Sequence, residues 1–224
     1  MTRGAAGAIV AITTVRCMST PIDPNDHDRF QLRQRIKLVI NQYEFFLENA
    51  DGSASDKVCF VEQKRFKFKE DIRFYTDESK TQELLRIKAR QAFDPRATYD
   101  VTDDLGSKIG AIQKVFGASL LRSTYRILGA GGEEVAIATE KSMPIAILRR
   151  AVGFVPYVEN VADWLPIPYH FVFMRGEQVI GENTRQAFKL RDVYHIDMSA
   201  DPERVLDRRL VLALSVGMDA LQAR

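Results

Sequence analysis

Between Leu210 and Val216 the chain reads Leu-Val-Leu-Ala-Leu-Ser-Val, which on a helix is apolar on every side except at Ser215. Such a helix needs a dry place, either a protein core or a membrane. The run 210–218 is flanked by Arg208, Arg209 and Asp219, and it is too short to cross about 30 Å of hydrocarbon. Ahead of it, Asp201-Pro-Glu203 offers an N-cap, a proline at the first helical position and an acid in the first turn. This pattern predicts a core helix over 202–222. The rest of the chain has to enclose it.

What precedes the helix repeats one theme: an aromatic residue, a strand, a polar turn and a returning strand. Tyr99 to Phe116 is one unit, Tyr125 through Gly129-Ala-Gly-Gly132 to Thr139 another, and Phe171 to Phe188 a third. Tyr43 to Phe66 and Phe74 to Phe93 are longer variants, with turns at 50–55 and 76–81. Short alternating runs between turn-rich breaks are the pattern of antiparallel hairpins. Strands are predicted near 29–36, 41–48, 57–63, 71–76, 83–90, 97–102, 108–114, 122–128, 133–139, 168–174, 178–185 and 192–197. A closed barrel of about that many strands has room for more than side chains. The expected fold is therefore mainly β, a roughly twelve-stranded antiparallel barrel around the hydrophobic C-terminal helix. A sandwich with the helix laid over one open end is the competing arrangement.

With 224 residues, such a domain can bury a core without disulfides. Cys17 and Cys59 offer no framework of bridges, which suits a reducing cytoplasm. Residues 1–28 are expected to stay outside the barrel domain, which is placed at 29–224. The stretch Met1 to Val15 has the look of a short signal peptide, but Arg16 and Cys17 stand where small residues are wanted. Met18 is a second plausible start, so a disordered tail, a mis-set start and a cleaved signal all stay open.

Three stretches resemble a known family. These are Phe30-Gln-Leu-Arg-Gln-Arg35 with the hairpins that follow it, Ala97-Thr-Tyr-Asp-Val-Thr-Asp-Asp-Leu-Gly-Ser-Lys-Ile-Gly110, and the terminal helix. Over about 29–224 the chain resembles the tubby C-terminal-like superfamily, which includes tubby proteins, phospholipid scramblases and the LURP-one-related group, and it is most similar to the last. The resemblance implies a barrel around a central helix and no shared catalytic residues. It also makes membrane binding worth testing, since some tubby-like relatives engage phosphoinositides through basic pockets.

A search for chemistry finds little. Gly129-Ala-Gly-Gly132 lacks the lysine and hydroxyl of a P-loop and reads as a tight turn. His27, His170 and His195 are scattered without ligands at metal spacing, and Asp100, Asp103 and Asp104 miss the spacing of a calcium loop. No cofactor or metal is expected. His195 and Asp197 share a strand face, the one arrangement a hydrolase could use, but no nucleophile elbow accompanies them. The chain is expected not to be an enzyme.

Charge patterning is more telling. The total is only +2, from 32 basic and 30 acidic residues, too balanced for a nucleic-acid binder. Residues 29–90 nevertheless hold 14 basic and 10 acidic side chains, a local +4. Within them, Arg33, Arg35 and Lys37 share one strand face, as do Arg65, Lys67 and Lys69, and Arg86, Lys88 and Arg90. If strands align these triplets, they form an anion-binding surface for membrane lipid or another acidic partner. Otherwise they are a solvated exterior that guards against edge pairing. The alternative site is the segment 143–169, where Leu148, Arg149, Arg150, Phe154 and Trp164 suit an apolar ligand, a partner protein or a membrane interface. The expectation is a non-catalytic, cytoplasmic domain without a transmembrane span, peripheral at the inner membrane surface.

Overall fold

Strand β1 (Arg29–Ile36) buries Phe30 and Leu32 and exposes Arg33 and Arg35, the period-two pattern of a strand with one wet face. The same alternation organises the whole sheet in the computed structural model, which describes residues 21–36, 40–64, 71–90, 98–115, 123–141, 170–186 and 193–222. The further strands are β2 (Ile40–Glu48), β3 (Ala54–Lys64), β4 (Asp71–Tyr75), β5 (Glu83–Ala89), β6 (Thr98–Asp103) and β7 (Lys108–Lys114). They continue with β8 (Thr124–Gly129), β9 (Glu134–Glu140), β10 (His170–Arg175), β11 (Gln178–Arg185) and β12 (Val193–Asp197). Every predicted strand is present, with ends moved by a few residues.

Each strand pairs antiparallel with the next, and β12 pairs back onto β1 in the register Phe30↔Ile196 and Leu32↔Tyr194. The barrel is closed, and the sandwich alternative is excluded. Closure leaves no unpaired edge, so edge protection is not what the strand cations are for. The connections β2–β3, β4–β5, β6–β7, β8–β9 and β10–β11 are short turns at one end of the barrel. At 129–132 the turn is tight, as expected: Gly132 donates to the Gly129 carbonyl at 3.0 Å and takes φ +93°, which favours glycine.

The helix, α1 (Arg208–Gln222), enters at the same end. Its residues 210–218 are all buried, in one core with Phe30, Phe45, Phe74, Leu85, Ile127 and Phe173 from the strands. It touches β5 and β7 on one side, while Ser215 accepts a 3.1 Å hydrogen bond from Asn183 of β11, half the ring away. A helix reached from opposite sides of a closed ring lies inside it.

Two boundaries differ from expectation. The helix begins at Arg208, not at 202, because Asp201 does not cap it. The Asp201 carboxylate instead takes the amides of Val205 and Leu206 and the guanidinium of Arg208, and Asp207 caps the helix through the Arg209 amide at 2.9 Å. Residues 21–28 also belong to the packed structure. Asn25 Oδ1 accepts from the Arg208 amide at 2.8 Å, and Asp28 pairs with the fully buried Arg208 guanidinium at 2.7 Å. Residues 1–20 lie outside the described residues.

Candidate functional site

On β1, the Arg33 guanidinium lies 4.7 Å from the centre of the Phe46 ring and donates to Gln31. Arg35 pairs at 2.8 Å with Glu44, a carboxylate only 2% exposed that also takes Lys57 at 2.7 Å. Arg33 and Arg35 are thus absorbed by their neighbours. Lys37, Arg65, Lys67 and Lys69 lie outside the described residues, as do Leu148, Arg149, Arg150, Phe154 and Trp164 of the alternative segment. The β1 and β5 triplets are not brought together, because β2, β3 and β4 stand between them on the ring.

The β5 triplet has a different setting. Arg86 grips Asp71 of β4 with two nitrogens, Nε at 2.6 Å, and Arg90 grips Asp100 of β6 with Nε at 3.1 Å and Nη2 at 2.7 Å. The hydrogen bonds from Arg86 and Arg90 hold the carboxyls of Asp71 and Asp100 below the usual carboxylate range. Lys88 sits between these two pairs, exposed, with Asp71 and Asp100 as its cross-strand neighbours and with no ion pair among the described residues. Two further cations join this outward face. Arg73 stands opposite Arg86 and lies 3.6 Å from both Asp71 and Glu83, and Lys108 lies 3.8 Å from Asp100. Sequence reasoning missed both. Asp71-Ile-Arg73 does alternate onto one face, but which strand it meets is set by register.

The histidine and aspartate that share a β12 face do not meet. His195 pairs with Glu48 of β2 at 2.5 Å, while Asp197 takes Arg29 at 2.8 Å and the Ser199 amide at 2.8 Å. Among the described residues no group of histidine, cysteine and carboxylate side chains is placed to hold a metal ion. A polar cleft of about 430 Å³ lies nearby, with Asp26, Asp28, Arg29, Glu48 and Ser199 on its walls.

A closed antiparallel barrel with one buried C-terminal helix defines the tubby-like class of proteins. Within it, the chain belongs to the LURP-one-related family, whose model matches residues 57–219. No curated protein sequence matches the chain.

Proposed function

We propose that this tubby-like domain is a non-catalytic module that docks on anionic phospholipid through the outward face of β4–β7, at the cytoplasmic surface of a membrane. The charge balance of that face supports the reading. Arg73, Arg86, Lys88, Arg90 and Lys108 stand against Asp71, Glu83 and Asp100, an excess of two positive charges. Lys88 carries the argument: it is exposed, and both carboxylates beside it are committed to arginines. The arginine–carboxylate pairs lie at the surface, partly exposed, where a lipid phosphate can compete for these guanidiniums. No helix among the described residues is long and apolar enough to cross a membrane.

A cation near an anionic membrane contributes about 1 kcal/mol, and the attraction decays over a Debye length of about 8 Å at physiological salt. Reversing one charge removes an attraction and adds a repulsion, about 2 kcal/mol or roughly 30-fold in affinity. Lys88→Glu should therefore weaken co-sedimentation with phosphatidylglycerol vesicles roughly 30-fold, and since it sets a third carboxylate between Asp71 and Asp100 it should lower melting slightly while the protein stays folded. Raised salt should weaken the parent similarly, and phosphatidylcholine vesicles should bind neither protein. Equal binding of parent and variant to phosphatidylglycerol at low salt would sink the proposal.

A further inference from the structure

The short turns gather acidic side chains at one end of the barrel. That end comprises the turns 49–53, 76–82, 104–107, 130–133 and 176–177, the lead-in 21–28 and the segment 198–209 that carries the chain into α1. Together these hold 12 acidic and four basic residues, a net −8. The chain as a whole is +2, so the remainder carries 28 basic and 18 acidic residues, a net +10.

The four cations of the turn end are all committed. Lys80 pairs with Glu62 at 2.8 Å, and Arg204 donates to the carbonyls of Asn25 and Asp26. Arg208 is buried against Asp28 and Asp201, and Arg209 pairs with Asp207 at 2.7 Å. Several of the acids are not: Asp51, Asp104, Glu133, Glu177 and Glu203 are exposed and make no ion pair among the described residues. The docking face follows the same polarity. Along β5, Glu83 stands by the turn, and Arg86, Lys88 and Arg90 follow toward the other end.

We propose that the barrel meets an anionic bilayer tipped, with the cations of β5 toward the lipid and the acidic turn end raised into water. This inference rests on the docking reading above and adds the orientation to it. The 15 residues of α1 extend about 22 Å from the turn end, more than two Debye lengths of about 8 Å at physiological salt. Acids at that distance scarcely feel a surface touched by the opposite end. A barrel laid flat on β4–β7 would instead bring Asp77, Glu78 and Asp104 against the lipid headgroups, each lowering affinity about fivefold. It would also press Leu105, 86% exposed at the tip of the β6–β7 turn, onto the bilayer.

Quenching by a lipid-borne nitroxide tests this. The full chain with Cys17→Ser, in which Cys59 is buried, receives one fluorophore, at Leu105→Cys or at Gln113→Cys near the opposite end of β7. On phosphatidylglycerol vesicles at low salt the Gln113 label should be quenched, and the Leu105 label should keep its emission. A second measurement needs no label. Asp104→Asn, Glu133→Gln and Glu177→Gln together should change vesicle affinity less than about twofold, whereas a turn end in contact would gain roughly 100-fold. Quenching at Leu105, none at Gln113 in bound protein, or the large gain in the triple variant overturns the orientation and leaves docking standing. A parent that binds no phosphatidylglycerol vesicle overturns the docking reading, and the orientation with it.

Discussion

Single residues decide how closely the helix approaches the barrel wall. Gly110 on β7 faces α1, and a methyl group there would come 2.3 Å from the Leu128 carbonyl and 3.0 Å from a Leu210 methyl. The leucine can shift, but the carbonyl belongs to the β7–β8 pairing and cannot. Gly110→Ala should therefore cost ~1–3 kcal/mol, the usual range for overpacking, read as a lower urea midpoint with an unchanged slope. A variant as stable as the parent would show that β7 and α1 are not in close contact. Arg208 is a second decisive residue. In the sequence it reads as a charge flanking an apolar run, yet it is the largest fully buried side chain among the described residues. Asp201 and Asp28 pair with it, and the carbonyls of Leu206 and Asp201 accept from Nη1 and Nη2 at 2.9 and 3.0 Å, while the buried Nε has no partner. A cation out of water is tolerable only with such a set of partners, and these come from both ends of the chain.

Among the elements, α1 carries the sharpest test. Leu210, Leu212 and Leu214 are each at most 2% exposed. Leu212→Asp forfeits ~1.5–3 kcal/mol of burial and adds several more for a carboxylate without a partner. Against a domain stability of ~5–15 kcal/mol, this should leave the protein insoluble or molten. Purification of a folded, monomeric variant with unchanged melting would contradict the buried helix. The existence of α1 was legible because seven consecutive residues are almost uniformly apolar. Its start was not legible, since Asp201 and Asp207 are both good caps. Only the packing shows that Asp201 is spent on Arg208 and on the amides of a preceding loop. The strands were legible for a related reason: alternation follows from the pleat of each strand alone.

Across the whole molecule, inter-strand ion pairs make stability depend on acid pH. Hydrogen bonds from Arg86 and Arg90 hold the carboxyls of Asp71 and Asp100 below their ordinary range. For Asp201, burial pushes the carboxyl up, but Arg208 and the amides of Leu206 and Val205 outweigh it and hold the group low. A carboxyl with a lowered folded pKa adds stability that is complete above its unfolded value and is lost as pH falls through the folded one. Melting should therefore change little on account of these groups from neutrality to about pH 5, then fall below about pH 4. Asp201→Asn should lower melting at neutral pH and flatten that acid fall, and an acid profile equal to the parent's would exclude Asp201 from it.

The sequence by itself determined the strands and the apolar helix, because each is written in a local period of two or in a run almost without polar residues, whereas closure into a barrel and not a sandwich was decided by the pairing of β12 with β1. Which cations remain open, and which histidine has a charged partner, was decided by the tertiary structure. Arg86, Lys88 and Arg90 are equivalent in the pattern of β5; register sets Asp71 and Asp100 directly opposite Lys88, yet both carboxylates are taken diagonally by the arginines, which leaves the lysine exposed. His195 takes Glu48, 147 residues distant in the chain, and not Asp197 two residues on. Side chains two apart on one strand stand about 6.7 Å from each other, whereas strands that meet through the closure of the barrel bring theirs within hydrogen-bond reach.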